Sequence, residues 1–73
     1  MSFQAYITNV EKSTGKSISA IVEIASAKGF ADEEGILKSN VKAGEIISWL
    51  KEDFDLGHGH AMSVVAYLKG KRE

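Results

Sequence analysis

The chain contains no cysteine and no proline in 73 residues. Without cysteine there is no disulfide staple, no thiol nucleophile and no thiolate-ligated zinc, which suits a reducing compartment. Without proline, breaks between elements must be read from glycine and from capping residues. An excess of one charge is missing too. Nine basic and ten acidic side chains leave a formal net charge of −1, whereas a surface that tracks nucleic-acid phosphates carries a marked basic excess. No apolar run approaches the ~20 residues of a membrane span. Met1-Ser2-Phe3-Gln4 lacks the basic flank and apolar run of a secretion signal. The expectation is a soluble cytoplasmic protein with no membrane partner.

The apolar fraction is 44%, enough for a globular chain. A chain of this length sits near the size at which a single core just suffices. With no repeat and no linker in view, residues 1–73 are expected to form one helical domain.

Helical spacing recurs four times. After Ser2, a capping residue, Phe3, Tyr6, Ile7 and Val10 fall on one face, and Thr14-Gly15 ends the stretch. Ser17 restarts the chain, Ile18, Ile21, Val22 and Ala25 repeat the spacing, and Ile24 widens the stripe. Gly29 stops this second helix, with Phe30 placed to fold back on its last turn. Asp32-Glu33-Glu34 reads as an acidic first turn of a short helical piece near 32–38, with Ser39 or Asn40 capping the third helix. In that helix Ala43, Ile46, Ile47, Leu50 and Phe54 cluster within about 100°. Trp49 projects about 120° from the middle of the stripe. It is read as a rim residue that a neighbouring helix covers or, alternatively, as an anchor for a partner. Asp55-Leu56-Gly57 turns the chain, and Gly59 or His60 opens a fourth helix with Ala61, Val64, Val65 and Leu68 inward. Met62 lies beside that face, and His60, Val64 and Tyr67 share a second edge. Gly70 closes the helix, and Lys71-Arg72-Glu73 reads as a frayed end. The fold class expected is all-α, a compact bundle of four short helices.

Lys42-Ala43-Gly44-Glu45-Ile46, then Trp49 to Phe54, then Leu56-Gly57-His58-Gly59-His60-Ala61 form a pattern over the second half of the chain. Ser2-Phe3-Gln4-Ala5-Tyr6 and Thr14-Gly15-Lys16-Ser17 form another in the first. Together they resemble the small bacterial helical domains of the domain of unknown function 4287 family, across nearly the whole chain. The resemblance implies a compact all-helical module, found in some cases inside longer bacterial proteins, and implies no activity.

The corner Gly57-His58-Gly59-His60 carries the most chemistry. Glycines permit close approach, and a helix start offers unpaired amides to a phosphate or carboxylate, assisted by a protonated imidazole. Against this stands the plain reading that Gly57 ends one helix and Gly59 caps the next, with both imidazoles solvated. The same corner is similar to a helix-hairpin-helix turn that holds a nucleic-acid phosphate. Here His58 replaces the usual apolar residue, and Glu52, Asp53 and Asp55 would repel the backbone. His58 and His60 are two imidazoles without the four-ligand set of structural zinc. Neither Ser48 nor Ser63 is marked as an activated nucleophile.

The function expected is a non-catalytic binding or interaction module. Its candidate residues are Gly57, His58, Gly59 and His60, with Ala61, and the flanks bearing Trp49 and Tyr67. No catalytic residue, metal site or cofactor is assigned. The partner is another protein or a second copy, with a small anion as a further occupant of the corner. Two alternatives stay open, phosphate-backbone binding by the Gly-His-Gly turn and part of an enzyme with a His-based site.

Overall fold

Ser2 and Ser17 both lie in extended backbone, and their hydroxyl oxygens accept from the amides of Ala5 and Ala20. Each therefore opens a helix in the way expected of a capping serine. In the computed structural model, which describes residues 2–71, these are α1 (Phe3–Thr14) and α2 (Ile18–Ala27), followed by α3 (Ala43–Phe54) and α4 (His58–Leu68). The all-α bundle of four short helices stands. Of the C-terminal tail read as frayed, Arg72 and Glu73 lie outside the described residues.

Helix ends are closed by backbone bonds across left-handed residues. At Gly15 the amide reaches the Glu11 carbonyl at 2.9 Å. After α2, Phe30 N–H bonds Ala25 O at 2.9 Å, across Gly29, so the aromatic ring does fold back. After α3 the left-handed residue is Asp55, with φ of 54°, and Leu56 N–H reaches Leu50 O at 3.3 Å. The same device at Gly70 carries Lys71 N–H to Ala66 O at 3.0 Å. Between α1 and α2, a Glu11 carboxylate oxygen accepts the Ile18 amide at 2.7 Å and fixes the corner.

The segment between α2 and α3 departs from expectation. There is no helical turn near 32–38. The chain reverses as a small hairpin in which Ala31 and Leu37 form an isolated antiparallel bridge. The cause is local and chemical. Asp32 Oδ1 accepts the amides of both Glu34 and Ile36, at 2.9 and 3.0 Å, which holds the acidic run in a turn. Gly35, at φ of 80°, supplies the left-handed residue. The hairpin is then tied down by Leu37 N–H to Leu68 O at 2.9 Å and Ser26 Oγ to Asp32 O at 3.1 Å. Neither Ser39 nor Asn40 caps α3. Lys42 occupies that position, and Glu45 Oε2 accepts its amide at 2.9 Å. Lysine has no acceptor of its own, so only this half of a capping box forms.

The interior is shared by all four helices. α4 packs against α1 on one flank and α3 on the other, while α2 packs against α1. Ile7, Val10, Ile21, Ala25, Ile46 and Leu50 are buried with Ala61, Val64, Val65 and Leu68. Two positions differ from the apolar stripes. Tyr6 lies at the surface, while Trp49 belongs to the core at 5% exposure. The indole can enter because its single polar atom is satisfied: Nε1–H donates to Asp53 Oδ2 at 2.9 Å. Phe30 and Phe54 flank the ring, with centroids 5.6 and 5.9 Å away.

The hairpin leaves one glycine with no substitute. A Cβ on Gly35 would lie 2.8 Å from Val22 Cγ1, and the residue has positive φ. Gly35→Ala should lose about 2–5 kcal/mol in urea unfolding, from strain and overpacking together. At Gly29, where φ is also positive but nothing lies within 4 Å, alanine should cost only the backbone share, about 1–2 kcal/mol. Equal losses at both sites would refute the overpacking at Gly35.

Candidate functional site

The corner after α3 is built by Asp55 and Leu56 rather than by glycine. Asp55 takes the left-handed turn and Leu56 is buried as an anchor. Gly57 then stands as N-cap of α4 with φ of −67° and ψ of 163°, and makes no side-chain cap bond. The fourth helix starts at His58, one or two residues earlier than Gly59 or His60, because Gly57 O already accepts from Ala61 N–H at 2.9 Å. Gly59 and His60 are therefore helical residues. Among the described residues the amides of His58, Gly59 and His60 have no backbone acceptor, as in any uncapped first turn.

The two imidazoles diverge. At about 100° per residue, positions two apart on a helix point roughly 200° away from each other. His58 is exposed, whereas His60 is half-buried. The ring packed on His60 is that of Tyr6 in α1, edge-on at 5.8 Å, and Tyr67 lies half-buried two turns further along α4. Among the described residues, no group of three or more His, Asp or Glu side chains is placed to hold a metal, and no helix is long and apolar enough to cross a membrane. Ser63 donates its hydroxyl to the His60 carbonyl at 2.6 Å, so it is engaged with backbone rather than with a base. Ser48 lies exposed on α3.

A phosphate-binding corner would gather Lys16, Lys42, Lys51 and Lys69 around Gly57 and Gly59. The topology carries two of the four away from it. Lys42 starts α3 and Lys69 ends α4, so each stands a whole helix, roughly 16–18 Å, from the corner. Lys51 shares the corner's end of α3.

The surface that adjoins the corner is apolar. Tyr6 and Met62 are the large hydrophobic side chains exposed among the described residues, at 36% and 42%. Both line one shallow cavity of about 280 Å³ on the α1–α4 seam, floored by Gly59 and Ala66. At its rim Lys71 Nζ lies 5.2 Å from the centroid of the Phe3 ring. Helical spacing alone assigns Tyr6 to the core and sets Met62 beside it. The signal that separates them from the core is position: Tyr6 is in the first turns of α1, and Met62 is one turn into α4. Trp49 is the opposite case, since its burial leaves little of the ring to anchor a partner.

Gly44 and Gly59 each occupy the second position of a helix, without positive φ, and a Cβ there would meet nothing within 4 Å. Neither packing nor dihedral angle demands glycine. Gly44→Ala and Gly59→Ala should each raise stability by about 0.5–1 kcal/mol in urea unfolding. A loss at either position would mean that the fold itself needs that glycine.

No curated protein and no solved structure matches the chain. The model of one family, described as "Domain of unknown function (DUF4287)", matches residues 2–70. That span takes in the serine-capped start of α1, the hairpin, the Asp55 corner and the whole of α4, and the chain is a member of this family.

Proposed function

We propose that the chain is a non-catalytic protein-interaction module whose contact surface is the α1–α4 seam beside the corner Gly57–Ala61. One observation supports the reading. Tyr6 and Met62, exposed while the other large apolar side chains among the described residues are covered at least in part, line the same cavity next to Gly59. Exposed aromatic and methionine side chains around a shallow hollow are the ordinary make-up of a protein-binding patch. Gly59 leaves the backbone of α4 open to close approach at that point. His58 and His60 then stand at the edge of the patch, one exposed and one packed on Tyr6.

A hollow of about 280 Å³ is shallow for a small-molecule pocket, and its serine hydroxyl, that of Ser63, is spent on a carbonyl. Both facts favour binding over catalysis. We take the module to be one domain working in a bacterial cytoplasm. Its lack of cysteine suits that address. The partner is a protein, with a second copy of the chain as the simplest case.

A photo-crosslinking residue placed at Met62 should give discrete protein adducts in cells that produce the chain, and the same residue at Glu23 on α2 should give none. Met62→Glu should leave stability within about 0.5 kcal/mol and weaken the association by about 1–3 kcal/mol. Sedimentation of the purified chain assigns the adduct to a second copy or to another protein. No adduct from either position would sink the reading.

A further inference from the structure

A second surface shares no residue with the seam. The end of α2, the turn through Gly29 and Phe30, and the first three turns of α3 enclose an open groove of about 520 Å³. We propose that this groove binds the guanidinium of an arginine side chain on a partner polypeptide.

Its wall is aromatic, formed by the half-buried Phe30 ring tilted at 52° against Trp49. Its charge is acidic: Glu45, Glu52 and Asp53 line it, against Lys28 as the one cation there among the described residues. These acids are not a bare cluster. Trp49 Nε1–H holds Asp53 by Oδ2 at 2.9 Å, which fixes the carboxylate and leaves Oδ1 without a partner among the described residues. Lys28 Nζ approaches the same Oδ2 at 3.9 Å, with both side chains more than 40% exposed. That pair is long and solvated, so an incoming cation displaces it at little cost. The groove thus already accepts an ammonium from its own chain. A guanidinium fits better, because its planar fork meets a carboxylate with two parallel bonds and its faces stack on aromatic rings. Gly44 lies on the same wall, where a side chain would project into empty space. The fold gives no reason for a glycine there. Close approach of a partner backbone does.

The test is an amide-shift titration of the whole chain with a capped peptide bearing two arginines, alongside the same peptide with citrulline, with lysine, and with glutamate. We expect saturable shifts at Gly44, Ser48 and the Trp49 indole with the arginine peptide, and binding several-fold weaker with lysine. Citrulline and glutamate should give none. Asp53→Asn keeps an acceptor for the indole and removes the charge, and should weaken binding about tenfold. Gly44→Ala should weaken binding while the fold is unharmed. Glu23→Gln, which alters net charge by the same amount away from the groove, should change nothing. Absence of saturable shifts, equal binding of citrulline, equal binding of lysine, or full binding by Gly44→Ala would each overturn the assignment. Self-association abolished by both Asp53→Asn and Arg72→Gln would support the assignment and make a second copy of the chain the arginine-bearing partner. None of these results depends on the α1–α4 seam, which Met62→Glu tests separately.

Discussion

The fold depends on burying α4 from two sides at once. In Ala61, Val64, Val65 and Leu68 it carries four apolar side chains with no more than 1% exposure. They face α1 on one flank and α3 on the other. Each fully buried valine or leucine is worth about 1.5–3 kcal/mol. In a chain with no disulfide, these contacts must outweigh the ordering of four separate helices. Short helices do not persist alone in water, so α1 and α3 are held by α4 as much as they hold it.

Other features depend on that arrangement. Because α4 is enclosed, its free carbonyls near the C-terminus become an anchor, and the Leu68 carbonyl takes the amide of Leu37. The hairpin between α2 and α3 is thereby fixed to the central helix rather than left as a loose connection. Gly35 must then sit close under Val22, which couples the hairpin to α2 as well. At the other end, the start of α4 is positioned by Leu56, whose buried side chain sets the corner before Gly57. The two ends of α4 thus differ in kind. One is locked to the hairpin, and the other presents a first turn with no side-chain cap.

Features that depend on near neighbours were legible in the sequence. Ser2, Ser17, Gly15, Gly29 and Gly70 act through bonds spanning a few residues, so the limits of α1 and α2 and the end of α4 came from residue type. The hairpin did not. Asp32 followed by two glutamates looks the same whether its carboxylate caps a helix or an Asx turn, and the decision came from Leu68, far along the chain. Trp49, at the flank of its stripe, is covered as the first of its two readings has it, but what covers it lies outside the spacing. Angular position on α3 says nothing about Phe30, which arrives from another element and covers the indole. Tyr6 shows the converse: an apolar stripe marks a face, but only a neighbour makes that face interior. The candidate corner was visible as residue types alone. Its two imidazoles part because α4 starts at His58, a boundary that composition does not specify.

The glycines divide along the same line. Gly15, Gly29, Gly35 and Gly70 have positive φ and serve the fold. Gly44, Gly57 and Gly59 have no such angle, and a Cβ on any of them would stand clear of every neighbour. A glycine near a helix start weakens that helix and frees its chain in the unfolded state. In a domain with so small a core, that is a standing loss with no internal compensation. Two of these three glycines border hollows, Gly44 the acidic groove and Gly59 the apolar seam, and the third caps the helix that carries Gly59. Glycine placed where the protein itself does not need the space fits a surface that something else must approach closely. The two hollows differ in chemistry, one acidic and aromatic, the other apolar with a lysine at its rim. Surfaces that share no residue and differ in chemistry can be occupied together without competing, so the two proposed contacts are compatible in one chain.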